Sequence, residues 1–108
     1  MLKKLQLIGQ IKRRYILTRE EKMLAIFNKH SYTEQRNKLC EEFRELQDEL
    51  LLQHLNSPTN NFLGECADVI HLVLQFVYAR GYNTNELLDE LDFKIDRQCK
   101  RDSIEKGE

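Results

Sequence analysis

Apolar residues recur along this chain at helical spacing, and no stretch alternates with the period of two that marks a strand. Leu2, Leu5, Ile8, Ile11 and Tyr15 predict an amphipathic N-terminal helix. Thr18-x-x-Glu21 and Ser31-x-x-Glu34 are capping-box patterns, in which hydroxyl and carboxylate each satisfy an orphan amide at a helix start. They predict one helix over roughly 19–29 and a longer one over roughly 32–55, closed by the breaker Asn56-Ser57-Pro58. A further helix follows from about Asn61 to Arg80, with Gly81 as a left-handed stop. Asn83-x-x-Glu86 opens a last helix reaching about Arg101. The pattern is that of one all-α domain over residues 1–108, a bundle of four to five helices. Its two long central helices run antiparallel across a short loop.

The helix over 62–79 reads FLGECADVIHLVLQFVYA and is apolar almost all the way round, the pattern of a buried helix. Glu65, Asp68, His71 and Gln75 interrupt it at steps of three, three and four, which puts all four along one side. Buried carboxylates must be neutralised by protonation, by basic partners or by a metal ion. Upstream, Leu39, Phe43, Leu46 and Leu50 form the expected core stripe of the preceding helix. Glu42, Glu45 and Glu49 fall on its flank, whereas Glu41 and Asp48 point towards solvent. In a helical hairpin, Glu42 and Glu45 can face Glu65 and Asp68. Four carboxylates would then converge into a cage of hard oxygens suited to Mg²⁺ or Mn²⁺. Taken alone, an E-x-x-E on a charged helix is usually a solvated face. The E-x-x-D inside an apolar helix is what makes the pair notable. Zinc fits less well, because no second Cys or His is spaced to join Cys66 and His71. Cys66 reads as a small core residue, and His71 as a buried histidine with a satisfied nitrogen or a partner for one of the acids.

Composition adds a charge asymmetry. The formal net charge is −1, but residues 1–30 carry eight Lys/Arg against two Glu. That basic segment suits either a solvated helix face or the steering of a polyanion. Cys40, Cys66 and Cys99 are widely spaced, which fits reduced thiols and a cytoplasmic setting. The uncharged run from Val69 to Ala79 is too short to span a membrane, so no membrane association is expected.

The acidic blocks resemble the signature of the MazG-type all-α nucleoside triphosphate pyrophosphohydrolases, E-E-x-x-E followed at a distance by E-x-x-D. Here the blocks are Glu41-Glu42-Phe43-Arg44-Glu45 and, nineteen residues on, Glu65-Cys66-Ala67-Asp68. Lys38-Leu39 before the first block, Leu46 after it and the Ala67–Ile70 run also fit. A third block, K-x-x-x-N-x-x-R in many relatives, corresponds to Lys94, Gln98 and Arg101, with Gln in place of Asn. The resemblance covers roughly residues 35–101. It implies a Mg²⁺-dependent hydrolase that converts a nucleoside triphosphate to the monophosphate and pyrophosphate. Glu42, Glu45, Glu65 and Asp68 would be the metal-binding and catalytic acids, with Glu41 a further participant. Lys38, Lys94, Gln98 and Arg101 would contact substrate. A homodimer or dimer of dimers is implied as well, in keeping with a helix too apolar for one short bundle to cover.

The same signature occurs in phosphoribosyl-ATP pyrophosphohydrolases and all-α dUTPases, so the substrate is less defined than the reaction. Leu72 stands where some relatives carry a Tyr, and Trp is absent, which leaves base preference open. Without the resemblance, Lys94, Arg97 and Arg101 read equally as exposed residues pairing with Glu90 or Asp102. The rival of a different class is a non-catalytic helical module whose basic N-terminus binds nucleic acid or another protein.

Overall fold

A computed structural model of the chain describes residues 17–55 and 61–104. Four α-helices and no strand occur among the described residues: α1 (Arg19–Asn28), α2 (Tyr32–His54), α3 (Phe62–Ala79) and α4 (Thr84–Arg101). The helix expected over Leu2–Tyr15 and the breaker Asn56-Ser57-Pro58 lie outside the described residues. Three helices begin where local chemistry places them. Thr18, Ser31 and Asn83 each accept from the amide three residues on, and Glu21, Glu34 and Glu86 each return a carboxylate oxygen to the cap. α3 ends in a Schellman turn, in which Gly81 N–H donates to the Tyr78 carbonyl and Tyr82 N–H to that of Val77. Gly81 has φ of 90°, and a Cβ there would meet nothing within 4 Å. Backbone strain rather than crowding therefore selects glycine at this position.

α1 and α2 both pack on α3. Phe27 and Tyr32 meet the Phe76 ring edge-on, with centroids 5.2 and 5.4 Å away. α4 is tied mainly at its start. Glu20 Oε2 accepts from the Thr84 hydroxyl at 2.5 Å and from its backbone N–H at 3.3 Å, and the Tyr78 hydroxyl lies 2.7 Å from Thr84 Oγ1. A carboxylate at that position also complements the positive end of the α4 dipole.

The expected core stripe of α2 is corrected. Phe43 and Leu50 are about half exposed, at 51% and 49%, whereas Gln35, Glu42 and Glu49 are buried. The packed seam is Gln35, Leu39, Glu42, Leu46 and Glu49, at steps of four and three. It shares Leu39 and Leu46 with the apolar stripe but turns the polar members inward. The cause lies in α3, whose side towards α2 carries its own polar residues, so polar groups meet polar groups across the hairpin. Among the described apolar residues only Leu72 and Tyr78 are fully buried. Leu63, Ile70 and Val73 of α3 are exposed, as are Leu88, Leu91 and Ile95 of α4. By length and mean hydropathy alone α3 could cross a bilayer. Its polar side, packed against α2, suits a protein neighbour better than lipid.

Candidate metal and substrate site

The antiparallel register of α2 and α3 assembles the site. Near one end of the contact Gln35 donates to Gln75, and further along Glu42 meets Glu65 and Asp68. One carboxylate oxygen from each of Glu42, Glu65 and Asp68 lies within 4.8 Å of the others. Glu41, Glu42 and Glu45 form a second such group, so Glu42 belongs to both. Three of the four acids expected at the centre, Glu42, Glu65 and Asp68, are therefore brought together, and Glu45, like Glu41, joins them through Glu42. Glu42 is only 7% exposed, Glu65 is half-buried, and Glu41, Glu45 and Asp68 are open to solvent.

Two oxygens in this group are buried without a hydrogen-bond partner among the described residues, Glu42 Oε2 and Glu65 Oε2. An unsatisfied buried acceptor costs roughly 1–3 kcal/mol, and more when charged. The other oxygens are held. Lys38 Nζ sits 3.2 Å from Glu42 Oε1 and 4.0 Å from Glu41 Oε1, and these carboxylates raise the lysine's pKa. Asn61 Nδ2 donates to Glu65 Oε1 at 2.8 Å. The donor set is all oxygen, and the orphaned atoms belong to carboxylates on two different helices. That arrangement fits a hard divalent cation.

Glu45 has a raised pKa, first because of its hydrogen bond with Glu42, then because of the negative charge of Glu42 and the more distant Glu65 and Glu41. The proton is thus held more tightly in the folded chain than in the unfolded one. For an acid raised in this way, folding stability is greatest at low pH and falls as pH rises from the ordinary glutamate value through the raised one. Without divalent ions, Glu45→Gln is expected to melt above the wild type at neutral pH. The difference should vanish below pH about 4, where the wild-type carboxyl is itself protonated. Thermal melts in a chelator across that range measure it, and a difference independent of pH would contradict the assignment.

A cavity of about 330 Å³ adjoins the acids and runs between α1, α2 and α3. Glu42, Asp68 and Lys38 line it, together with Gln35, His71 and Gln75. The histidine is the satisfied one of the two expected kinds, with its Nε2 lying 3.0 Å from Gln75 Nε2. Gln35 was not singled out by sequence reasoning. The signal available was its place one helical repeat of seven residues before Glu42 on the same seam.

The expected substrate residues of α4 stand apart from this grouping. Lys94 Nζ is 4.0 Å from Glu90. Gln98 donates to both oxygens of Asp102 and accepts from Arg101 at 2.8 Å. Arg97 lies over the Phe93 ring, 5.6 Å from its centroid. Of the four substrate positions, only Lys38 adjoins the acids. Compared with protein-family models, curated proteins and solved structures, the chain matches none.

Proposed function

We propose that this chain is a divalent-metal-dependent nucleoside triphosphate pyrophosphohydrolase, releasing the monophosphate and pyrophosphate. The observation that carries the reading is the pair of orphaned carboxylate oxygens, Glu42 Oε2 and Glu65 Oε2, inside the group of Glu42, Glu65 and Asp68 beside a cavity. Supporting it is the MazG-type spacing of those same acids in the sequence. Glu42, Glu65 and Asp68 would hold Mg²⁺ or Mn²⁺, with Glu45 next to them. Such an ion supplies charge neutralisation at phosphate oxygens and a more acidic water.

The chain's own groups then have distinct tasks. Glu45, open to solvent and with a raised pKa, is suited to accept a proton from the attacking water. Lys38 is within reach of the acids and lines the cavity, so it can leave Glu42 for a phosphate oxygen. Asp68, the exposed member of the three-acid group, would meet the ion and its phosphate from the solvent side. The cations of α4 would reach phosphate only from a second subunit or after α4 moves. That fits a homodimer, in which the exposed apolar residues of α3 and α4 find cover. The test is pyrophosphate release from a panel of ribo- and deoxyribonucleoside triphosphates with Mg²⁺. Metal-dependent pyrophosphate is expected for at least one of them, and silence across the panel together with no Mn²⁺-dependent rise in Tm would overturn the reading.

A further inference from the structure

Three hydrogen-bonding side chains that the proposed hydrolysis does not use line the cavity beside the acids. Gln35 Nε2 donates to Gln75 Oε1 at 2.6 Å, and Gln75 Nε2 lies 3.0 Å from His71 Nε2. Gln75 is 0% exposed. With Gln75 Nε2 donating, His71 Nε2 accepts and the ring's proton sits on Nδ1. The inverse order would need the proton on the other ring nitrogen and both amides turned over together. The Gln35 amide can therefore turn over only together with Gln75 and His71, and its carbonyl oxygen and second N–H are left for the cavity it lines.

A free glutamine amide can turn over and match either order of donor and acceptor on a ligand. A held one cannot. Amino and keto nucleobases differ in just this order: cytosine and adenine offer a donor amine beside an acceptor ring nitrogen, whereas uracil and hypoxanthine offer an acceptor oxygen beside a donor ring N–H. Gln35 stands seven residues, about 10 Å along the helix, from Glu42. Gln75 stands the same distance from Asp68. That spacing suits a ligand with its phosphates at the acids and its base at the amides.

We infer that Gln35 is the base-reading residue of this site, and that Gln75 and His71 are positioning residues that lock its amide and so sort amino from keto bases. The inference rests on the proposal that the site takes nucleotides. It is tested by binding of non-hydrolysable α,β-methylene triphosphates of cytidine against uridine and of adenosine against inosine, with Mg²⁺ present. The wild type is expected to separate the members of at least one pair by about tenfold or more. In Gln75→Met, and in His71→Phe should the first variant fold poorly, the separation is expected to fall to within about threefold. The better ligand of that pair should keep most of its affinity, because a released Gln35 can still turn to meet it. Gln35→Met should weaken both members to a common level. The rise in Tm with Mn²⁺ should persist in all three variants, which shows that the acids remain assembled.

Equal binding of both members of each pair by the wild type, or an undiminished separation in the lock variants, would overturn the inference. Pyrophosphate release from the cleavable counterparts reports separately on the reaction. Nucleotides that are sorted but not cut would sink the hydrolase reading and leave the sorting role standing, while nucleotides cut without sorting would do the reverse.

Discussion

Asp68→Asn is expected to abolish metal-dependent pyrophosphate release while leaving the helices intact. The substitution keeps the size of the side chain and removes one negative charge from a group of three carboxylates that lie within 4.8 Å of one another. Asp68 is open to solvent, so the amide leaves no new buried polar atom behind. Folding should therefore be unharmed, and the melting temperature without divalent ions should hold or rise as like-charge repulsion falls. A hard divalent cation held as proposed would, by contrast, exchange an anionic ligand for a neutral one. Even outer partners of metal sites contribute on the order of 10–100-fold to activity, so loss of a direct ligand should exceed a hundredfold. The rise in Tm on adding Mn²⁺ should shrink in parallel. Wild-type turnover in the variant, measured on protein free of contaminating phosphatase, would remove Asp68 from the site.

Ile70→Glu is expected to break the proposed homodimer. Ile70 is 56% exposed on the side of α3 turned away from α2, near the similarly open Val73. A chain with two fully buried apolar residues among those described has little core of its own for the α3–α4 face to lean on. The wild type should sediment at about twice the 12.9 kDa chain mass at micromolar concentration, with a Tm that rises with protein concentration. A carboxylate forced into that contact without a partner should cost on the order of 3 kcal/mol, about a hundredfold in the dimer dissociation constant. Far-ultraviolet circular dichroism at high concentration separates dissociation from unfolding. A wild type that remains a monomer at tens of micromolar, with a Tm independent of concentration, would refute the homodimer.

Helix positions were legible in the sequence because they are set locally. Thr18, Ser31 and Asn83 each sit three residues before a glutamate, and each makes the reciprocal pair of bonds that the spacing implies. The convergence of Glu42, Glu65 and Asp68 was legible for a different reason. Two acids on an apolar helix need company, and a hairpin offers one neighbouring helix to supply it. The facing of α2 was not legible from hydropathy. Leu39 and Leu46 belong equally to the apolar stripe with Phe43 and Leu50 and to the polar seam with Glu42 and Glu49. Only the partner helix decides between the two. Gln35 was missed on the same account, since an amide near the start of a charged helix carries no sign of burial until Gln75 is placed opposite it.

Asn61 differs from the other three caps. It is the N-cap of α3, yet its side chain makes no capping bond; its amide nitrogen is turned onto Glu65 Oε1 instead. The residue at the threshold of the helix thus grips one of the acids that the helix presents. Occupancy of the proposed metal site would therefore be thermodynamically linked to the integrity of the first turn of α3. Whatever draws charge out of Glu65 weakens its hold on Asn61 and is felt as fraying or tightening of that turn. Exchange of the backbone amides at 62–65 would respond to the state of the carboxylates without any probe being placed among them.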